Sequence, residues 1–316
     1  MRMSTTQVAA SSDANVVRDT RNVINSYLQR CAIPYTPASL DPAFYRQCED
    51  EALRRNYPME GRYSVRTYLG QGAAIAYTSY PHIRLAERIE IALYTACAIY
   101  TDDTPGRGSA MDATYLFNER FTQNCGQDDR VLDAFADSIS KISLYFKRVI
   151  SNLVVTSTLN GVTAVLLEHE TDTMTLSHEA QSYSNYYRLM SGFAEAYAIF
   201  AFPPELPLED YIQAIPDMMI FINNTNDILS FYKEEVGGEP VNQASIVAAC
   251  NNISKIDALG RLADAAVEAH TKVLRILSPH PAARDAYLSF SHGYIGFHVA
   301  ADDRYRLSEL DLATEL

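Results

Sequence analysis

Between Met218 and Glu235 the chain reads MMIFINNTNDILSFYKEE, and several side chains in that stretch could hold a hard cation. At roughly 100° per helical residue, Ser230 stands about 40° and Glu234 about 80° from Asn226, with Lys233 about 20° to the other side. Toward the N-terminus the same face turns apolar at Ile222 and Met219. One stripe therefore passes from greasy to polar within about two turns, as the wall of a pocket does when its floor holds hydrocarbon and its mouth holds ions. Amide oxygen, hydroxyl and carboxylate are hard ligands, suited to Mg²⁺ rather than Zn²⁺. A single carboxylate compensates the ion only in part, which leaves room for anionic oxygens from a diphosphate, and Lys233 would neutralise more phosphate charge. The plainer reading of the same spacing is a solvated helix face.

Three further clusters complete a site of this kind. Asp102 and Asp103 close the apolar stretch Ile91 to Thr101, just before Thr104-Pro105-Gly106. Carboxylates at a helix C-terminus oppose the macrodipole and cost stability unless a cation answers them. Behind Asp102 on one face lie Ala98, Thr95 and Tyr94, a wall rising to an acidic lip. Arg188 sits in the aromatic run YSNYYRLMSGFAEAYAIF, with Ser191 and Gly192 one turn on. A glycine inside a helix costs about 1 kcal/mol relative to alanine, and it permits a kink or a carbonyl freed toward a cavity. Near the end, HGYIGFH leads into Arg304-Tyr305-Arg306, and arginine and tyrosine are good donors to phosphate oxygens. Each cluster taken alone also fits an ordinary capped end or surface patch.

The elements that must position these residues read as helices. Strand-like alternation bounded by turn dipeptides is nearly absent. Helical patterning predicts helices near 14–31, 41–56, 63–77, 81–102, 109–123, 128–148, 149–166, 183–201, 208–235, 241–250, 253–277 and 281–300. Pro34, Pro58, Pro81, Pro105, Pro203, Pro204, Pro207, Pro240 and Pro279 punctuate them, and Pro216 inside one predicted helix implies a kink or a later start. With no repeat and no dividing linker, the 316 residues form one α domain over 16–316 behind a short disordered lead-in at 1–15. The 47% apolar content can fill a sizeable core.

A net charge of −13 with no basic cluster argues against a nucleic-acid partner. An acidic protein that binds an anionic substrate must invert its field locally with arginine, lysine or metal ions. Five scattered cysteines without metal spacing, no signal-peptide core at the start, and an apolar run at Ile91–Thr101 too short to span a bilayer point to a reduced, cytoplasmic protein.

Together these residues resemble the class I terpene synthases, specifically the fungal trichodiene synthase family. Asn226-Asp227-Ile228-Leu229-Ser230-Phe231-Tyr232-Lys233-Glu234 is similar to that family's second metal motif almost residue for residue. The resemblance implies that Asn226, Ser230 and Glu234 ligate one Mg²⁺ and that Lys233 binds diphosphate. By the same resemblance Asp102 and Asp103 form the aspartate-rich motif, with Asp102 the ligand of the remaining ions of an expected three. Arg188 becomes the diphosphate sensor, Ser191 its linker, Gly192 the effector carbonyl, and Arg304-Tyr305 the C-terminal clamp. One departure stands out: the further acid of the aspartate-rich motif is replaced by Gly106, three positions after Asp103.

The resemblance, which runs from about residue 80 to 310, implies an all-α helical bundle enclosing a central cavity. It also implies a lyase that ionises a linear prenyl diphosphate, with farnesyl diphosphate the first choice, and a homodimer as the assembly. With no tryptophan in the chain, cation stabilisation is expected from Phe297, Tyr294 and Tyr94, with Asn223 a polar spot in the pocket. A trichodiene-like product and a humulene-type ring are both left open. A prenyl-chain elongating enzyme would need a second aspartate-rich motif, whereas Asp302-Asp303 is followed by Arg304. A protonating cyclase needs an Asp-x-Asp-Asp string, and a di-iron bundle needs Glu-x-x-His pairs; neither pattern occurs. A non-catalytic binding protein on the same fold, supported by Gly106, is the remaining alternative.

Overall fold

The computed structural model describes the chain apart from residues 1–4, 36–38, 239–241 and 313–316, and contains no strand among the described residues. Of the lead-in expected over 1–15, residues 1–4 therefore lie outside the described residues, as does Pro240. The helices are α1 (Thr5–Cys31), α2 (Pro42–Arg54), α3 (Val65–Ser79), α4 (Leu85–Asp102), α5 (Ser109–Thr122), α6 (Arg130–Tyr145) and α7 (Arg148–Glu170). They continue with α8 (Gln181–Met190), α9 (Ala194–Phe200), α10 (Ile215–Gly237), α11 (Gln243–Asn251), α12 (Lys255–Ile276), α13 (Pro281–Ala300) and α14 (Asp302–Tyr305).

Local chemistry explains most boundaries. Asp41, Asp129, Ser254 and Asn242 each accept a backbone N–H at the start of α2, α6, α12 and α11, satisfying donors that a helix N-terminus leaves unpaired. Pro216 stands at the start of α10, where its missing N–H is harmless. The helix predicted over 208–235 therefore begins later, after two short 3₁₀ turns at Leu208–Asp210 and Ile212–Ala214. The helix predicted over 183–201 is broken in two at residues 191–193.

The core is organised around α4. Every residue from Ile91 to Ala98 is buried, so this helix is enclosed nearly all round. Tyr94 has no exposure and meets Phe135, Phe193, Tyr197 and Phe200 edge-on, at ring centroid separations of 5.3–6.3 Å. Glu90, a fully buried acid of α4, is matched by Arg55 Nη2 at 2.7 Å and by the Ser138 hydroxyl at 2.6 Å, which ties α4 to α6 and to the end of α2. By length and composition α7 could cross a membrane, but it packs a face containing Ile150, Val154, Thr158 and Val162 into the bundle as a core helix does.

Two glycines let backbones touch. A Cβ on Gly72 of α3 would stand 2.3 Å from the Ala92 carbonyl oxygen of α4, and one on Gly293 of α13 would stand 1.9 Å from the Thr78 carbonyl oxygen of α3. Gly260 in α12 has nothing within 4 Å of such an atom. Substitution to alanine should therefore have opposite signs in urea denaturation. Gly293→Ala is expected to destabilise by about 1–3 kcal/mol through overpacking, and Gly260→Ala to stabilise by roughly 0.5–1 kcal/mol through helix propensity.

Candidate active site

The C-terminal ends of α4 and α10 border one cavity of about 280 Å³. Of the residues singled out from the sequence, Ala98, Asp102, Arg188, Ser191, Gly192, Ile222, Asn223, Asn226, Glu234, Tyr294, Phe297, Arg304 and Tyr305 line it. The other five stand elsewhere. Tyr94 lies one layer behind the wall in its ring cage, because α4 is buried on every side and its periodicity does not single out a cavity face. Met219 packs part-buried against the core. Ser230 is buried beneath the rim, and Lys233 is part-buried with its ammonium 3.6 Å from the Glu234 carboxylate.

Asp103 does not line this cavity but borders an adjoining cleft that shares Gln71, Ile99 and Arg304 with it. Its carboxylate pairs with Arg107 at 3.0 Å. Arg107 is itself fixed by the Tyr68 hydroxyl at 2.9 Å and by the Tyr63 ring, 4.3 Å below the guanidinium. The chain turns between them through Gly106 at φ +79°, a conformation that side-chain-bearing residues adopt at a cost. The position that would carry the later acid of an aspartate-rich motif is occupied instead by the residue this turn favours.

The break between α8 and α9 shapes the opposite wall. Gly192 has φ +74° and Phe193 φ +54°; the second is a strained conformation for a non-glycine residue, costing on the order of 1–3 kcal/mol. The Phe193 ring seats over Gly161 of α7, where a Cβ would lie 2.3 Å from a ring carbon. A Cβ on Gly192 would stand 2.7 Å from Arg188 Nη1 and 3.0 Å from Asn223 Oδ1, so glycine is required there for room as well as for conformation. Arg188 donates from Nε to Asp227 Oδ2 at 2.9 Å and pairs through Nη2 with Asp227 Oδ1 at 2.8 Å. Its Nη1 donates to the Ser191 hydroxyl at 3.1 Å, and the Asn223 amide donates to the Arg188 carbonyl at 3.0 Å. Burial pushes the Asp227 carboxyl up, against the pull of Arg188. The fork-to-fork contact holds the guanidinium at the cavity wall.

The C-terminal segment closes the rim. Arg304 donates to Gln71 Oε1 of α3 at 2.7 Å, which leaves further N–H groups of its fork for other acceptors. The Tyr305 ring packs against Phe297 and His298 of α13. Burial pushes the Tyr305 phenol up, so it stands as a neutral donor.

The ionisable groups at the acidic lip are in electrostatic conflict. Asp102 is solvent-accessible where it opens onto the cavity, and partial loss of bulk water there, with Glu168 and Asp103 adding repulsion, raises its carboxyl to about 6. Glu168 lines the cavity from α7 and accepts the Tyr187 hydroxyl. On the α10 side, Ser230 Oγ is buried without a hydrogen-bond partner. An amide, an unsatisfied hydroxyl and a carboxylate one turn apart make a donor set that fits Mg²⁺.

Local patterning missed Asp227, Glu168, Tyr187, Gln71 and His298. Asp227 stands within the metal motif but about 100° off its stripe, and the partners of the others lie far away in the chain. An acid beside a would-be ligand, on the buried side of a helix, is the one signal that could have suggested an arginine partner.

Residues 47–314 match the family model described as trichodiene synthase (TRI5). The chain is 36% identical over 295 residues to α-cuprenene synthase COP6 of Coprinopsis cinerea, covering 92% of this chain and 90% of that protein. It is 35% identical over 280 residues to terpene synthase BipA of Cochliobolus sativus, covering 86% and 85%. Among solved structures the fold is similar to that of linalool/nerolidol synthase from Streptomyces clavuligerus, with a TM-score of 0.63 at 14% identity over 84% of this chain and 98% of that one.

A raised carboxyl in the folded state means that ionising Asp102 costs the metal-free fold stability. This contribution is intact below the unfolded-state value of 3.8 and is lost as pH rises through about 6. Asp102→Asn removes the repulsion. It is expected to raise Tm of the metal-free protein at pH 8 by more than at pH 5, as read by calorimetry in the presence of a chelator.

Proposed function

The chain belongs to the trichodiene synthase family, and on that premise we propose that it is a magnesium-dependent sesquiterpene cyclase that ionises farnesyl diphosphate and closes the resulting cation. One observation carries the reading. Asp102 on α4 and the stripe through Asn226 and Glu234 on α10 border the same cavity as two arginines and a buried tyrosine, above walls that include Ile75, Ile222, Ile246, Phe193 and Phe297.

Arg188, Arg304, Lys233 and the Tyr305 hydroxyl are the donors for diphosphate oxygens, and their charge and N–H groups favour the leaving group as it takes up negative charge. Asn226, Ser230 and Glu234, with Asp102 across the cavity, would hold Mg²⁺. When bound, the ion supplies electrostatic stabilisation of the departing diphosphate. Asp103, committed to Arg107, is left out of that set. The hydrocarbon chain is folded by the apolar walls, which also keep water from the allylic cation. The faces of Phe193, Tyr197 and Phe297 offer negative quadrupole potential to the migrating charge. Asn223 is tied to the Arg188 carbonyl, so the polar spot it brings to the pocket is fixed in orientation. The likeness to an α-cuprenene synthase supports a cyclised product, and a C15 chain follows from the family resemblance.

Incubation of purified protein with farnesyl diphosphate, followed by gas chromatography–mass spectrometry, should give a C15 hydrocarbon or alcohol only when Mg²⁺ is present. Asn226→Ala should reduce turnover by roughly 100-fold or more, as expected when a metal-dependent leaving-group interaction is removed. Absence of product from C10, C15 and C20 diphosphates with folded protein would overturn the reading and favour a non-catalytic member of the fold.

A further inference from the structure

His298 lies on α13 with no solvent exposure. The rings of Tyr294, Phe297 and Tyr305 enclose it, at centroid separations of 4.6, 5.3 and 4.6 Å. Its Nδ1 is 2.7 Å from the Tyr294 carbonyl oxygen. A carbonyl oxygen only accepts, so Nδ1 carries the hydrogen, and in the neutral ring Nε2 is left as an acceptor. That nitrogen lies 3.3 Å from Nδ2 of Asn226 on α10.

The geometry matters because of a property peculiar to asparagine. An amide has an oxygen end and a nitrogen end of nearly the same shape, and only the oxygen can face a cation. Glu234 offers oxygen whichever way its carboxylate turns, and Ser230 carries a single oxygen. Asn226 alone can be presented the wrong way round. With Nε2 of His298 as an acceptor, the amide must turn its N–H toward the imidazole, because the opposite orientation would set two lone pairs against each other. Oδ1 is then the atom that Asn226 offers to the cavity it lines.

We infer that His298 is a positioning residue for the metal site: by accepting the Asn226 N–H it holds the amide oxygen toward a divalent cation. The inference rests on the reading of Asn226 as a cation ligand. The same imidazole packs on the Tyr305 ring, so one side chain braces both the ligand on α10 and a proposed diphosphate donor on α14.

The test measures metal binding rather than turnover. Mn²⁺ serves as the probe with inorganic diphosphate, followed by electron paramagnetic resonance and calorimetry. His298→Leu, which removes the acceptor, is expected to weaken Mn²⁺ binding by roughly 10–100-fold, the usual effect of losing a group that orients a ligand. His298→Gln places an amide oxygen where Nε2 stood and should recover most of that loss. On an Asn226→Asp background, whose carboxylate presents oxygen in either orientation, His298→Leu should have little further effect. Binding by His298→Leu equal to that of the unmodified protein overturns the inference. So does an equal loss in His298→Gln, or the same loss on the Asn226→Asp background. If the unmodified protein binds no Mn²⁺ with diphosphate, or Asn226→Ala binds as it does, the ligand reading itself has failed. Near-UV circular dichroism reports the fold of each variant, and His298→Phe carries the same comparison should His298→Leu not fold.

Discussion

Two carboxylates of the cavity stand where helices are least able to tolerate them. Asp102 ends α4, and Glu234 lies in the last turn of α10. At both places the backbone carbonyls already present negative potential, and the acids add to it. The two ends border a single cavity that also receives Glu168, so the metal-free protein concentrates one sign of charge around one opening. Arg188 and Arg304 answer part of it from the sides, and a cation would answer the rest. The remaining features can be read as supports for this arrangement: an enclosed α4 that cannot retreat, a broken helix that aims Arg188, and a C-terminal segment that lays Arg304 and Tyr305 over the mouth.

Holding an arginine at such a wall has its own requirements. Arg188 is paired in a bidentate contact with the buried Asp227, and removing one partner of a buried pair commonly costs about 3–5 kcal/mol because the other charge is stranded. The pair also needs space that only a residue without a side chain at 192 can give. The left-handed backbone at Gly192 and Phe193 is maintained by contacts outside that segment, chiefly the seat of the Phe193 ring over Gly161. Strain at the wall and packing in the core are thus two sides of one contact.

The all-α fold and the stripe through Asn226 and Glu234 were legible because each is written in local spacing, helical period and polar groups one turn apart, whereas Pro216 marked an irregularity in the helix predicted from 208 without deciding between a kink and a later start. The break at 191–193 was not legible. A glycine in a helical pattern suggested a kink, but the left-handed Phe193 depends on Gly161, more than a helix away in the chain. Asp227, about 100° off the stripe, looked like a bystander because its partner Arg188 lies on another element. His298 is separated from Asn226 by 72 residues, and nothing local distinguishes it from an ordinary core histidine. Tyr94 failed as a cavity residue for the opposite reason. On a helix buried all round, periodicity assigns a face but does not say whether that face meets ligand or protein.

The cage of rings around Tyr94 bears on how a pocket of this shape can diversify. Phe135, Phe193, Tyr197 and Phe200 fix one another through Tyr94, so exchange of any one disturbs several neighbours at once. Ile222, Ile246 and Phe297 border open space on one side and belong to three different helices. Changes of size there alter the cavity outline and leave the ring contacts around Tyr94 in place. The contour met by a reacting chain can therefore vary on α10, α11 and α13 more freely than at Phe193 and Tyr197, which line the same cavity while locked into the cage.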